Sequence, residues 1–329
     1  MKDFESIVGQ EQMISHMKNS ILQDKVAHAY ILAGEPGSGK KLLADVYAMA
    51  LQCEQGGGVP CKVCDSCKKV DRKVHPDIIY VKHEKSNSIG VEEIREQVVE
   101  DVSIRPYSGR YKIYIIDDAD KMTPQAQNAI LKTIEEPPEY AVFLLLVANV
   151  DALLPTICSR CVRLDVRPVS DALVKRYLVE QMHVPEQEAA VQAAFAQGNI
   201  GRARQSADSD GFGDTLRKAL YLLKHASKME VHEWTEILGK MSQEQGNIYD
   251  YLDIFQVWFR DVLMFKATRE VDHLVFKKEI NIIKQQASEH SYEGIDNIIR
   301  ATDKAKVRLR ANVNFELAME LLFCAIRER

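Results

Sequence analysis

The run Gly34-Glu35-Pro36-Gly37-Ser38-Gly39-Lys40-Lys41 lies between a short apolar segment, Ala29–Ala33, and a helical one, Lys41–Leu51. Strand, glycine-rich loop and helix in that order turn backbone N–H groups onto phosphate oxygens at a helix N-terminus, with the lysine reaching the outer phosphates. The arrangement commits this part of the chain to an α/β fold whose strand ends lie beside the loop. One position departs from it. The pattern closes on Ser or Thr, whose hydroxyl is a Mg²⁺ ligand, and here Lys41 stands in that place with an ammonium that has no lone pair. Gly34, Gly37, Gly39, Lys40 and Lys41 are therefore the candidate nucleotide contacts. ATP with Mg²⁺ is the expected ligand, weakened by the missing hydroxyl.

A second run supports this frame. Tyr111–Ile116 is apolar and of strand length, and it ends in Asp117-Asp118-Ala119-Asp120. Such a strand puts carboxylates at the edge of the sheet that faces the phosphates. Asp117 is placed to hold Mg²⁺, directly or through water. Asp118 stands where ATPases of this kind carry a Glu that orients the attacking water. Its side chain is one methylene shorter, about 1.5 Å of reach, and a misplacement of about 1 Å can cost two orders of magnitude in rate. Little or no hydrolysis by the chain alone is expected.

Four of the seven cysteines fall within 15 residues as Cys53, Cys61, Cys64 and Cys67, spaced C-x7-C-x2-C-x2-C, with Gly56-Gly57-Gly58 allowing the chain to turn back. Four thiolates suit a tetrahedral Zn²⁺ with no open position, which makes the site structural. The opening segment, Met1-Lys2-Asp3-Phe4-Glu5-Ser6, has no signal or transit character, so a reducing cytoplasm is expected, where clustered thiols mean metal before disulfides. The longest apolar run, Ala141–Ala148, is too short to span a bilayer and reads as a buried strand. A net charge of −5 argues against wrapping nucleic acid with the whole surface, though not against a local basic track.

Strand-like and helix-like stretches alternate through the first half. Ile78–Val81 is a strand, Val91–Val102 a helix, and Pro124–Ile134 a helix with Thr123 as N-cap. The alternation predicts a parallel sheet covered on both faces. After Pro168 strand signals vanish. Asp171–Met182 and Pro185–Gln197 read as helices ending in Gly198-Asn199, Ser206–Gly211 is the best linker, and Tyr251–Ala267 and Tyr292–Arg327 are the longest helical segments.

Together these residues resemble the clamp-loader branch of the AAA+ ATPases. Asn128-Ala129-Ile130-Leu131-Lys132-Thr133-Ile134-Glu135-Glu136-Pro137-Pro138 is similar to that family's NALLKTLEEPP signature, and Ser159-Arg160-Cys161 to its SRC motif. Val8-Gly9-Gln10 and His28-Ala29-Tyr30 also fit. The resemblance implies a role for Arg160 as an arginine finger acting in trans on ATP bound next door. It places Arg202 at the second sensor position, and implies a zinc-bearing insertion at 53–67.

It further implies three parts: an AAA+ module (1–165), a small helical lid (166–208) and an all-α collar (209–329). Among apolar residues of the collar such as Trp258, Phe259, Phe265, Leu317, Met319 and Leu321, the core of the domain itself accounts for most, and the remainder are candidate oligomer contacts. Motor subunits of the family carry Ser or Thr after the loop lysine and an Asp-Glu pair after the strand. This sequence departs at both, as Lys41 and Asp118, yet keeps Arg160. The combination resembles a stator, working with gamma/tau-type motors and a delta subunit to load a sliding clamp onto primed DNA during replication. A motor ATPase of the same complex and a zinc-bearing interaction module are the competing readings.

Overall fold

The computed structural model describes residues 3–83, 88–208, 211–225, 229, 233, 236–237, 239, 248–311 and 313–327. The chain forms two compact units, residues 1–173 with 199–202, and residues 174–198 with 203–329. No helix among the described residues is long and apolar enough to cross a membrane.

The first unit is built on five parallel strands: β1 (Ala29–Ala33), β2 (Ile78–Tyr80), β3 (Lys112–Ile116), β4 (Ala141–Val147) and β5 (Val162–Asp165). Their order across the sheet is β2-β3-β4-β1-β5. Residues alternate between two cores. Tyr30, Leu32, Ile113, Ile115, Val142 and Leu144 pack with α1 (Glu11–Leu22), α2 (Lys40–Leu51) and α3 (Asp65–Asp71). Ala29, Ile31, Tyr114, Ile116, Phe143 and Leu145 pack on the other face with α4 (Val91–Ile94), α5 (Pro124–Glu135) and α6 (Pro155–Cys158). Because both faces are covered, β1 and β4 are apolar at every position and read in the sequence as unbroken apolar runs, while Lys112 at the start of β3 is buried with its ammonium donating to Asp101 O and Ile104 O.

Two expectations need correction here. The helix expected over Val91–Val102 is α-helical only through Ile94; Arg95–Val99 is a π turn and Asp101–Ser103 a 3₁₀ turn. The wide turn closes with Glu100 N–H donating to Arg95 O, and Ile94, Val98 and Val102 all stay buried. The edge strand β5 carried no strand signal, since Arg163 and Asp165 face water and pair with each other at 2.7 Å. The expected N-cap is present: Thr123 Oγ1 accepts from Ala126 N–H at 3.2 Å at the start of α5.

A buried carboxylate organises the loop that enters β3. Asp77 accepts hydrogen bonds from the backbone N–H groups of Tyr107, Ser108 and Gly109, and from the Ser108 hydroxyl. Burial alone would raise its pKa, but these donors outweigh burial and hold the carboxyl below its ordinary value.

The second unit is all helical: α7 (Asp171–Met182, its body from residue 174 on), α8 (Glu186–Ala196), α9 (Ile200–Asp208, from residue 203 on), α10 (Phe212–His225), α11 (Ile248–Thr268), α12 (Ile280–Glu289), α13 (Tyr292–Arg310) and α14 (Phe315–Arg327). One core runs through it and includes Phe195, Phe212, Leu222, Trp258, Phe259, Phe265 and Met319. Gln286 pins three helices, accepting from Trp258 Nε1 at 2.7 Å and donating to Leu223 O at 2.8 Å. Trp258, Phe259, Phe265 and Met319 are therefore internal packing and not oligomer contacts. Only Leu317 and Leu321 of that set are exposed, at 51% and 44%. The expected linker is also partly helical. Ser206, Ala207 and Asp208 close α9 with Ser206 buried, Gly211 directly precedes α10, and Ser209 and Asp210 lie outside the described residues. The long segment Tyr292–Arg327 is broken between Arg310 and Phe315.

The loop anchored by Asp77 yields a stability test. Asp77→Ala leaves three backbone donors without their acceptor and is expected to cost about 2–3 kcal/mol, measured by urea unfolding. The folded-state pKa of Asp77 is depressed, so its contribution is full above the unfolded carboxyl value. It is lost as pH falls through the lower folded value, and the wild-type advantage over the variant should shrink along that acid limb.

Candidate functional site

The carboxyl ends of β1, β3 and β4 meet at one edge of the sheet. Gly34 N–H donates to Val147 O at 3.0 Å, which holds the glycine loop against the end of β4. Gly37 and Gly39 have φ of +81° and +97°, conformations that glycine adopts without strain, and Gly39 opens α2. The turn 199–201 lies against the loop: Asn199 Nδ2 donates to Pro36 O at 2.8 Å and Gly201 N–H donates to Gly37 O at 2.9 Å. A Cβ at position 201 would meet Gly37 O at 2.4 Å, so only glycine permits that approach. Asn199 Oδ1 also accepts from Arg202 N–H at 3.1 Å. Arg202 is thereby anchored one turn from the loop.

Both lysines of the loop are engaged within the site. Lys40 Nζ donates to Gly34 O at 2.5 Å and to Glu35 O at 2.9 Å, folding back over its own loop. Burial lowers its pKa, opposed by the carboxylates of Asp117, Asp120 and Asp118. Lys41 Nζ lies 2.7 Å from Asp117 Oδ2, and this hydrogen bond raises its pKa. Asp118 adopts a left-handed backbone, φ +52°, and its carboxylate pairs with Lys121 Nζ at 2.8 Å.

An ordinary magnesium site does not fit these residues. The hydroxyl ligand is missing, and the carboxylate that remains is neutralised by the side chain that replaced it. Asn149, at the end of β4, caps the next turn by accepting from Asp151 N–H at 3.0 Å.

Arg160 follows α6, in the connection from β4 to β5. Its Nη1 donates to Thr156 O at 3.0 Å and to Ser159 Oγ at 3.2 Å, and its Nη2 pairs with Glu135 Oε1 at 3.0 Å. The guanidinium side chain remains 39% exposed. Neither Glu135 as its partner nor Lys121 as the partner of Asp118 was foreseen, because both pairings depend on the tertiary fold. The acids of the Glu135-Glu136 pair were the available signal.

The cysteine insertion forms a separate centre. The sulfurs of Cys53, Cys61, Cys64 and Cys67 all lie within 4.8 Å of one another, and none is in a disulfide. Tetrahedral Zn–S bonds of about 2.3 Å place sulfurs about 3.8 Å apart, so the cluster can hold a structural metal such as zinc. Backbone amides aim at the sulfurs: Cys61 N–H at Cys53 Sγ (3.3 Å), Cys64 N–H at Cys61 Sγ (3.4 Å) and Cys67 N–H at Cys64 Sγ (3.4 Å). The amides of Cys64 and Val63 pull the Cys61 thiol down to about 6, and burial pushes Cys67 up. His75 is buried, accepts from Asp77 N–H through Nδ1 and so donates through Nε2 to Ser66 Oγ at 3.1 Å. It braces α3 and ligates nothing.

Fold and site together define a phosphate-loop module of the AAA+ class with an all-helical C-terminal part. A family model described as DNA polymerase III, delta subunit matches residues 9–170, and one described as DNA polymerase III, delta subunit, C terminal matches residues 215–327. The chain is 30% identical over 328 residues to DNA polymerase III subunit delta' of Bacillus subtilis (strain 168), spanning 97% of this chain and 96% of that protein. It is also 30% identical to subunit tau of the same bacterium, spanning 96% of this chain but only 60% of tau. The chain belongs to the delta' subunits of the DNA polymerase III clamp loader, within the AAA+ family.

The cysteine centre gives a direct test. Metal analysis of the purified chain should find one zinc per chain, and Cys67→Ser should lose it, with a lower thermal midpoint that added zinc no longer raises.

Proposed function

We propose that this clamp-loader subunit is the stator of its assembly, supplying Arg160 in trans to ATP held by an adjacent gamma/tau-type motor subunit. The observation that carries this is an asymmetry within one sheet edge. The chain's own Asp117 is occupied by Lys41 and its Asp118 by Lys121, while Arg160 is presented on the surface. The loop hydroxyl and the Glu of an ATPase are absent from this chain and the acids that remain are held by lysines, whereas the arginine a neighbour would need is kept, in a half-exposed pair with Glu135.

In the assembly, Arg160 exchanges its carboxylate partner Glu135 for the γ-phosphate of the neighbouring nucleotide. Its guanidinium stabilises charge that builds on the phosphoryl group during transfer, an effect typically worth about 10³–10⁵ in rate. The pair it leaves is half-exposed, and such pairs contribute only about 0–1 kcal/mol, so the exchange costs little. ATP binding by the motors then closes the ring that opens the sliding clamp on primed DNA, and hydrolysis releases it. The delta subunit completes the ring.

The division into an AAA+ module (1–165), a lid (166–208) and a collar (209–329) is part of this reading. The separate matches over residues 9–170 and 215–327 support distinct first and last parts of that division. The exposed pair Leu317 and Leu321 on α14 is the collar's candidate contact with other subunits, and the cytoplasm is the compartment of the assembled complex.

The test is ATPase measurement on the reconstituted clamp loader. Arg160→Ala is expected to silence the one motor site that faces it, by about 10³ or more, leaving the other sites turning over. An unchanged rate would remove the trans role. Turnover by the isolated wild-type chain, abolished by Lys40→Ala, would instead make it a motor.

A further inference from the structure

The disagreement between this site and a magnesium site has a specific form. Lys41 does more than lack a hydroxyl: its ammonium sits on the acid that would otherwise hold the metal, 2.7 Å from Asp117 Oδ2. That is the ordinary length of a charge-assisted hydrogen bond. An ammonium has three donors and this contact uses one of them. The side chain is 55% exposed, and Lys41 stands in the first turn of α2, at the helix N-terminus that follows the glycine loop. A divalent cation in a phosphate-loop site bridges the strand-end carboxylate to phosphate oxygens. Lys41 is already joined to that carboxylate and has donors left for the phosphate.

We propose that Lys41 takes the place of the divalent cation, so that this chain binds a nucleoside diphosphate without metal, held by the loop amides, Lys40 and Lys41. The proposal rests on Gly34–Lys41 acting as a phosphate loop and not on the trans role of Arg160.

The charge balance sharpens the ligand. Lys41 brings one positive charge where Mg²⁺ brings two, and ATP carries one more negative charge than ADP. The site is therefore better matched to ADP than to ATP. Magnesium in solution chelates the nucleotide while adding nothing at Asp117, so it leaves binding unchanged or weakens it. A bound diphosphate without metal and without a free water-orienting carboxylate is inert. It acts as a fixed structural ligand beside the turn 199–201.

The experiment is calorimetric titration of the full-length chain with ADP and with ATP, in magnesium and in EDTA. ADP is expected to bind in EDTA at least as tightly as in magnesium, and more tightly than ATP. Lys41→Thr restores the hydroxyl and frees Asp117, so its ADP affinity should become about tenfold or more dependent on magnesium. Mn²⁺ resonance spectra should show protein-bound metal with ADP for Lys41→Thr and none for wild type. Lys41→Met, which removes the ammonium and adds no ligand, should lose affinity in both buffers; unfolding curves of both variants establish that they are folded. Wild-type binding strengthened by magnesium, or no ADP binding in either buffer, overturns the proposal. Arg160→Ala has no bearing on these titrations, so their failure is separable from failure of the stator role.

Discussion

β1 is hydrogen-bonded in parallel on both sides, to β4 through Ala29–Ala33 against Phe143–Val147, and to β5 through Tyr30–Ala33 against Val162–Asp165. Parallel pairing puts the carboxyl ends of neighbouring strands at the same edge, and the rest of the site follows from it. Gly34 leaves β1 beside Val147, Asp117 leaves β3 two strands away, and the chain leaving β4 passes through α6 to Arg160 before returning as β5. A one-residue slip between β1 and β4 would exchange the two cores, moving Tyr30 and Leu32 to the face that now holds Ala29 and Ile31. Burial on both faces thus fixes where the charged groups stand, although none of those groups contributes to the core.

The charges themselves are held loosely. Lys41–Asp117, Lys121–Asp118 and Arg160–Glu135 join side chains between 38% and 55% exposed, a range where an ion pair adds about 0–1 kcal/mol. Asp77 is the contrast: buried, bonded by four donors and committed to one geometry. The structural carboxylate cannot be reassigned without unfolding a loop, whereas the site's pairs can exchange partners at little expense. Exchange is what a trans arginine requires, and what an ammonium shared between a carboxylate and a phosphate requires.

Legibility in the sequence followed burial. Ala29–Ala33 and Ala141–Val147 were read to the residue because these two strands, covered on both faces, carry only apolar side chains. β5 was missed because an edge strand need only be half apolar, and Arg163 and Asp165 broke its pattern. Ser206 to Asp208 read as linker because composition does not distinguish the solvated face of a short helix from a loop, although Ala203 and Ser206 are buried. The cysteine cluster was legible because ligand spacing is local. For Trp258 and its neighbours the sequence left core and oligomer contact both open, because how many helices surround α11 is not written in α11 itself. The partners of Arg160 and Asp118 were likewise invisible, since each is set by two elements meeting in space.

The two departures from an ATPase site are not independent. Once Lys41 neutralises Asp117, no metal activates the phosphoryl group, and a correctly placed water-orienting carboxylate has nothing to act on. Shortening that residue to Asp118 and engaging it with Lys121 then costs no catalysis that was still available. Arg160 stands outside this dependence, because it touches neither Asp117 nor Asp118 and pairs with Glu135 instead. The same sheet edge can therefore depart from an ATPase site at both positions and still keep the arginine. Lys41 is the residue on which this turns: a hydroxyl there would leave Asp117 open to a metal, whereas the ammonium lies 2.7 Å from Asp117 Oδ2.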